Sequence, residues 1–226
     1  MQQMVTDKKL LQLLASTLDL EVTDGDDVDL FALLEAALTK LGIKSLLPHN
    51  AQHVDIAEMS DELSRGDHIV VRSAGSNAVF HHGIYIGPYI PQGEAVGGAA
   101  AKPKKYVVDM FGEPHEGKQG ARLRLRTMEE FIRTKAFPEL AVIRYSNDTQ
   151  VARDRSASLA LHTQHKLGDC TGLYNLLGFN CSHFATWCRT MRLVTADVVM
   201  AVAQAHDATC RLQPLKAPLP KTLYIF

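Results

Sequence analysis

Apolar residues recur at helical spacing in the first part of the chain. Leu10, Leu14 and Leu18 follow one another at intervals of four, and a second apolar series occupies residues 30–41. A stripe of apolar side chains with polar residues on the other side is typical of an amphipathic helix. The acidic segment before the second series suits the positive end of a helix dipole. We therefore predict a helical N-terminal extension over residues 1–58.

Beyond residue 65 the apolar residues form short runs that are rich in β-branched side chains. Runs of this kind, bounded by Gly, Pro or Asp turns, are typical of strands. The predicted strands are 68–73, 80–87, 106–111 and 140–145. Residues 88–105 are rich in Gly, Ala and Pro, which predicts a long loop between the second and third strands.

Helix signals follow these strands. Thr127 and Glu130 have the spacing of a capping box, which predicts a short helix over 128–134. We predict three further helices: one over 151–167 that Gly168 ends, one that starts near Asn180, and one over about 196–206 that begins at Thr195. We predict an α+β domain over residues 59–195, followed by a C-terminal helix and an irregular tail over 196–226.

The composition is that of a folded protein with little net charge. The 226 residues are 46% hydrophobic, and 24 Lys plus Arg against 25 Asp plus Glu leave a formal net charge of −1. A chain so nearly neutral produces no field that attracts nucleic acid, so no nucleic-acid partner is expected. We see no signal-peptide pattern, and no apolar run approaches the roughly 20 residues of a membrane-spanning helix.

Four cysteines, at positions 170, 181, 188 and 210, cluster in the C-terminal third without a CxxC pair. This number and placement do not fit a disulfide framework, so we expect reduced thiols in a cytoplasmic protein. A metal site made of Cys170, Cys181, His183 and Cys188 would match no familiar zinc spacing. Neither a metal nor another cofactor is therefore expected.

Cys181 stands at a position that favours a reactive thiol. Asn180 before it is a good N-cap, and the following residues, SHFATWCR, are helical in pattern. At a helix N-terminus the dipole and the free N–H groups favour the thiolate, which is the nucleophilic form. Cys188 lies in the middle of the same predicted helix, where we expect a small core residue.

A thiol nucleophile needs a histidine that accepts its proton. His81 and His82 follow each other in a predicted strand, so their side chains point to opposite faces and only one can face Cys181. The next predicted strand offers Asp109, whose carboxylate would orient an imidazole and stabilise the imidazolium. By spacing alone, a single histidine in a strand is normally a structural or surface residue.

Four segments resemble the lecithin retinol acyltransferase-like family. They are GDHIVV (66–71), HHGIYIG (81–87), YVVD (106–109) and YNLLGFNCSHFATWCR (174–189), and they follow the family's order over about residues 62–193. The last segment is the most specific, because the family has an Asn-Cys-acidic-His-Phe motif at its nucleophile. The resemblance implies an NlpC-related, permuted papain-like core, in which an antiparallel sheet packs on the nucleophile helix.

The resemblance also assigns roles to individual residues. Cys181 matches the nucleophile and His81 the catalytic histidine, whereas His82 falls at a position that is usually aromatic. The third residue of the family is commonly a His. Asp109 takes its place here, and His115 is the second candidate for that role.

The chemistry implied by the resemblance is acyl transfer through a thioester. We expect a cysteine-dependent acyltransferase or a phospholipase of the A1/A2 type that acts on phospholipid acyl esters, typically phosphatidylcholine. Its partner would be the phospholipid or another acyl donor. The amphipathic N-terminal helices suggest peripheral contact with a membrane surface as an alternative to packing on the catalytic domain.

Two other functions stay open. A related permuted papain-like family of isopeptidases acts on ubiquitin-like conjugates with a similar Asn-Cys-x-His-Phe segment, although the HHGIYIG strand favours the acyltransferase. A non-catalytic binding module would keep the fold without the chemistry, but Cys181 and His81 are both present. The acyl acceptor and the oligomeric state do not follow from the sequence.

Overall fold

The computed structural model describes residue 39 and residues 47–72, 80–91, 102–111, 120–132, 139–146, 148–168 and 179–192. The strands in this part of the chain are β1 (Ala51–Val54), β2 (His68–Arg72), β3 (Phe80–Tyr89), β4 (Lys104–Phe111), β5 (Arg122–Thr127) and β6 (Leu140–Ile143). Its helices are α1 (Met59–Glu62), α2 (Met128–Ile132), α3 (Gln150–Leu167) and α4 (Cys181–Thr190).

The six strands form one antiparallel sheet in the order β1-β6-β2-β3-β4-β5. The neighbours β2, β3, β4 and β5 are consecutive along the chain, whereas β6 inserts between β1 and β2. The α+β class with an antiparallel sheet, which the sequence predicts, is confirmed.

Helices cover both faces of this sheet, because successive side chains of a strand point to opposite sides. On one side, which we call the α4 face, Ile84 packs with Phe184 of α4 and Ala157 of α3. On the other side, which we call the α2 face, Tyr85 belongs to a buried cluster with Phe131 of α2. The apolar side chains removed from water on the two faces supply the main stabilisation of the fold.

Two glycines are required by close packing. Gly66 has a φ of 85°, and a Cβ added to it would lie 1.8 Å from the carbonyl oxygen of Arg153. At Gly83 an added Cβ would lie 2.6 Å from Cγ1 of Val107 and 3.0 Å from Cε2 of Phe131. Because Gly83 has no side chain, the ring of Phe131 packs directly against β3.

The capping box that the sequence predicts at Thr127 and Glu130 is confirmed. The N–H of Thr127 donates to the Glu130 carboxylate (2.8 Å), and the N–H of Glu130 donates to Oγ1 of Thr127 (3.3 Å). This reciprocal capping box begins α2. Thr149 caps α3 by accepting the N–H of Ala152 at 3.2 Å. The predicted helix over 151–167 therefore starts one residue earlier and ends as expected.

Two strands differ from the expectations. Residues 51–54, predicted as part of the helical extension 1–58, form β1, so the prediction is wrong there. This strand is short and half-exposed, and its partner β6 lies far along the chain, so no local pattern marks it. The second strand, β5, was not among the predicted elements, although its alternating Arg and Leu residues have the strand period.

The ends of the predicted strands also change. β3 continues through Gly87 to Tyr89, because Gly87 adopts a φ of 79° and the register shifts between Tyr85 and Gly87. This irregularity lets the strand pass the Gly-Pro pair at which we predicted its end. β4 begins at Lys104, so both strands extend into the loop predicted over 88–105, and β6 ends at Ile143 rather than at 145.

Other predicted elements lie outside the described residues. They are the helices before residue 42, apart from residue 39, and residues 92–101 of the predicted loop, residues 133–134, the helix over 196–206 and the tail to residue 226. Within the part of the chain that is described, no helix is both long and apolar enough to cross a membrane. Apart from the correction at β1, the domain boundaries stay predictions.

Candidate active site

Cys181 is the first residue of α4. The Asn180 side chain caps this helix, because its Oδ1 accepts the N–H of Ser182 at 2.9 Å and the N–H of His183 at 3.1 Å. The predicted N-cap is therefore confirmed. The positive end of the helix dipole lies at Cys181, where it favours a thiolate, and the residue is partly exposed.

A second cysteine on the same helix has the opposite environment. Cys188 is completely buried in the cluster on the α4 face. Burial raises the pKa of its thiol, because a thiolate would lose its hydration there. Cys188 is thus the core residue that the sequence predicts, whereas Cys170 and Cys210 lie outside the described residues.

His81 connects Cys181 to Asp109. Its Nε2 lies 2.7 Å from Oδ2 of Asp109. The Cys181 side chain is near enough to the ring to raise the pKa of His81. Because Nε2 is engaged by the carboxylate, Nδ1 is the nitrogen left to face the thiol. His81 is the second residue of β3, at the margin of the sheet where β2 and β4 end. Cys181, the first residue of α4, therefore lies next to His81 at this edge of the sheet.

The surroundings of His81 favour its protonated form. Burial works to lower the pKa of His81, but the charge of Cys181 and the hydrogen bonds to Asp109 and Cys181 raise it from 6.5 to about 9. An imidazolium is therefore stable at neutral pH when a thiolate faces it. A thiolate paired with an imidazolium is the reactive form of a cysteine nucleophile.

Asp109 is fully buried on the α2 face, in the middle of β4. Burial works to raise the pKa of its carboxyl group, but the hydrogen bond from His81 and the charge of Arg126 lower it below its ordinary value. The ionised carboxylate holds the N–H at Nε2 of His81. This contact selects the tautomer and ring orientation that present Nδ1 to Cys181.

Arg126 on β5 is a site residue that we did not identify from the sequence. Its Nε lies 3.2 Å and 3.1 Å from the two carboxylate oxygens of Asp109, and its Nη2 also bonds to Oδ2. In the sheet, Arg126 is directly opposite Val107, which places it on the same face as Asp109. The alternation in RLRLRT is the sequence signal that could have revealed it.

His82 lies on the α4 face, away from Asp109. Its Nδ1 and Nε2 of His68 share a hydrogen bond of 2.9 Å, and Nδ1 of His68 lies 2.7 Å from the hydroxyl of Tyr145. His82 is buried in this polar network. The alternation of the strand therefore separates the two adjacent histidines as we predicted.

Two further histidines, His183 and His115, are candidates from the sequence. His183 is buried, with Nδ1 2.9 Å from Oδ1 of Asn180, so its contact belongs to the helix cap. His115 lies outside the described residues, and its candidacy stays a prediction. Among the residues that are described, no three His, Cys, Asp or Glu side chains are grouped so as to hold a metal ion.

Comparison with known proteins identifies a matching family model. The family model for lecithin retinol acyltransferase matches residues 61–194, which is more than half of the chain and includes Cys181, His81 and Asp109. Neither the curated proteins nor the solved structures contain a significant match to this chain.

Proposed function

The chain belongs to the lecithin retinol acyltransferase family, and we propose from this membership and from the site that it is a cysteine-dependent enzyme acting on phospholipid acyl esters. The family membership indicates acyltransferase- or phospholipase-type activity in lipid metabolism. Our proposal adds that Cys181 is the nucleophile, His81 the general base and Asp109 the residue that orients His81. The observation that carries it is the position of His81, whose Nε2 lies 2.7 Å from the Asp109 carboxylate and whose pKa is raised by the neighbouring Cys181.

The first half of the reaction forms a thioester. His81 accepts the proton of the Cys181 thiol, and the thiolate sulfur attacks the acyl carbonyl carbon. The N–H groups of Ser182 and His183 already donate to Asn180, so the backbone N–H of Cys181 is our candidate donor for the oxyanion. When the tetrahedral intermediate collapses, the ester bond breaks, and His81 returns its proton to the departing alkoxide.

The second half releases the acyl group. An acceptor enters, His81 takes a proton from it, and its oxygen or nitrogen attacks the thioester carbonyl. The carbon–sulfur bond then breaks, and the thiolate of Cys181 is restored beside the imidazolium of His81. Water as acceptor gives a free fatty acid, which is phospholipase activity, whereas an alcohol or amine gives acyl transfer.

We also propose that the core is of the permuted papain-like type. This is supported by the chain order, in which the strand with His81 precedes the helix with Cys181, and by the packing of that helix on the antiparallel sheet. A cytoplasmic location, with peripheral contact at a membrane surface that supplies the phospholipid, belongs to the same proposal.

The test is the intact mass of the protein after brief incubation with phosphatidylcholine vesicles, with free fatty acid assayed in the same tube. The wild type should gain the mass of one fatty acyl group, or release fatty acid if the thioester hydrolyses quickly. Cys181→Ala should do neither. Cys188→Ala is the matched control, because this cysteine lies on the same helix and is buried away from the site.

Two results would contradict the proposal. Acylation or fatty acid release that persists in Cys181→Ala would exclude this residue as the nucleophile. The absence of both signals in the wild type would remove phospholipid as the donor. In that case, reaction with ubiquitin-like probes would favour the isopeptidase, and no reaction with either substrate class would favour a non-catalytic module.

A further inference from the structure

Cys181, His81 and Asp109 form a series of neighbouring side chains, and a fourth charged group, the guanidinium of Arg126, contacts Asp109 at its end. Arg126 donates to both carboxylate oxygens of Asp109 through Nε, and to Oδ2 through Nη2. Its Nη1 donates to the backbone carbonyl of Glu130 at 3.4 Å. All three guanidinium nitrogens are therefore engaged, and the fork geometry fixes the plane of the carboxylate.

Aromatic rings hold this guanidinium in place. Cζ of Arg126 lies 3.8 Å from the centroid of the Phe111 ring and 5.9 Å from that of Phe131. The Arg126 side chain is only 11% exposed. Because its partners keep out water, its charge acts on Asp109 with little screening.

We propose that Arg126 is a positioning residue that keeps Asp109 charged and oriented, so that the reactive state of the site is electrically neutral. In that state the thiolate of Cys181, the imidazolium of His81, the carboxylate of Asp109 and the guanidinium of Arg126 alternate in sign and sum to zero. The proposal rests on the role of Cys181 proposed above. It explains how an aspartate, which carries a full charge, is accommodated where relatives commonly have a neutral histidine.

Other charged groups surround this series without belonging to it. Arg124 lies opposite Asp109 in the sheet, with its Cζ 5.8 Å from the Phe111 ring centroid, and Arg122 lies on the same face of β5. On α2, the carboxylate of Glu130 accepts from the N–H and hydroxyl of Thr127, and Glu129 is exposed. Of the arginines, Arg126 is the one whose charge lowers the pKa of Asp109.

Charge counting gives a specific expectation for Arg126→Met. Without the guanidinium, forming the thiolate beside the imidazolium and the carboxylate leaves a net charge of −1 in a site that is largely closed to water. The thiolate should therefore form only at higher pH. The decisive comparison is with the double variant Asp109→Asn with Arg126→Met. It lacks one negative and one positive charge, so its thiolate–imidazolium state is neutral again.

The experiment measures the rate at which iodoacetamide alkylates Cys181 in the full-length protein between pH 4 and pH 10, by the mass of the peptide that carries this residue. It needs no lipid, since the thiolate is what reacts. The rate rises with pH as the thiolate forms, and the pH at which it reaches half of its plateau is its midpoint. This midpoint should rise by about one pH unit or more in Arg126→Met. It should fall back toward the wild-type value in the double variant. Arg126→Lys, which retains the charge, should stay near the wild-type value.

Arg124→Met is the matched control on the same strand and face, and its midpoint should move less than half as far as that of Arg126→Met. If Arg126→Met fails to fold, Arg126→Gln replaces it, because it also removes the charge but keeps hydrogen-bond donors, and its midpoint should rise in the same way. A structural role alone would instead lower the plateau rate, with equal midpoints in Arg126→Met and the double variant. That result overturns the proposal.

The wild-type profile separates failure of this inference from failure of the proposed function. A wild-type midpoint near that of a free thiol, about 8.5, would mean that Cys181 is not an activated nucleophile, and both proposals would fall. A depressed wild-type midpoint that Arg126→Met shares would leave the proposed function intact and overturn the role of Arg126 alone.

Discussion

Histidines occupy both faces of the central sheet, and their electrical surroundings are opposite. On the α2 face, His81 contacts a thiol and a carboxylate, and its pKa is raised to about 9. On the α4 face, His68 contacts His82 and a tyrosine. Burial, together with the charges of His82 and Arg189, lowers the pKa of His68 well below 6.5. The two environments lie on opposite faces of the same sheet.

This difference shows that burial alone does not decide the protonation of a histidine. Burial opposes the charge on both His81 and His68, but only His81 has anionic partners that outweigh it. His68 instead forms hydrogen bonds with His82 and Tyr145, neither of which supplies a negative charge. The α2 face is thus suited to proton transfer, and the α4 face to structural stability.

The largest expected effect comes from removing one histidine of the adjacent pair. His81→Ala should slow alkylation of Cys181, and acyl transfer, by between about 100- and 10,000-fold, the usual contribution of a general base. His82→Ala should retain most of the rate per folded molecule, because its side chain lies on the other face. Rates corrected for the folded fraction are compared at pH 7, and equal losses in the two variants would break the contrast between the faces.

The pH dependence of stability sharpens the contrast. His81 releases its proton near pH 6.5 in the unfolded chain and near pH 9 in the folded protein. Its charged contacts therefore stabilise the fold fully below pH 6.5, and that contribution is lost as the pH rises through about 9. Urea unfolding of wild type and His81→Ala should show a stability difference that is larger at pH 6 than at pH 10 by at most about 3 kcal/mol.

Because any packing defect in His81→Ala is present at both pH values, only the charge-dependent part changes between them. His82→Ala serves as the control, and its difference from wild type should not show this loss between pH 6.5 and 9. A constant difference between wild type and His81→Ala would show that His81 gains no charged contact on folding.

The smallest effect is expected on the α4 face. Tyr145→Phe removes the hydroxyl that lies 2.7 Å from Nδ1 of His68 and leaves that buried nitrogen without this partner. The free energy of unfolding should fall by about 1–3 kcal/mol. Alkylation of Cys181 should stay unchanged, and a large loss of its reactivity would mean that the two faces are coupled.

Local signals in the sequence predict the parts of the site that depend on neighbouring residues. Asn180 marks the start of α4 and thereby the position of Cys181, because an N-cap acts within one turn. The strand period separates His81 from His82, and it also places Asp109 on a definite face. The resemblance of four segments to the family added the choice of His81.

What the sequence did not reveal depends on contacts between distant segments. β1 is an edge strand whose only hydrogen-bonded neighbour among the described strands is β6, so its four residues have no pattern of their own. Arg126 became a site residue because β5 pairs with β4 in one particular register. A shift of one residue would turn its side chain to the other face.

The most direct test of the account is an NMR titration of the histidine rings in wild type and in Cys181→Ala. We predict that His81 titrates near pH 9 in the wild type, and at a lower pH in Cys181→Ala, because the charge of Cys181 is the strongest influence that raises its pKa. His68 should stay neutral until well below pH 6.5. A wild-type His81 that titrates near 6.5, or that is unaffected by the loss of Cys181, would contradict the thiolate–imidazolium pair.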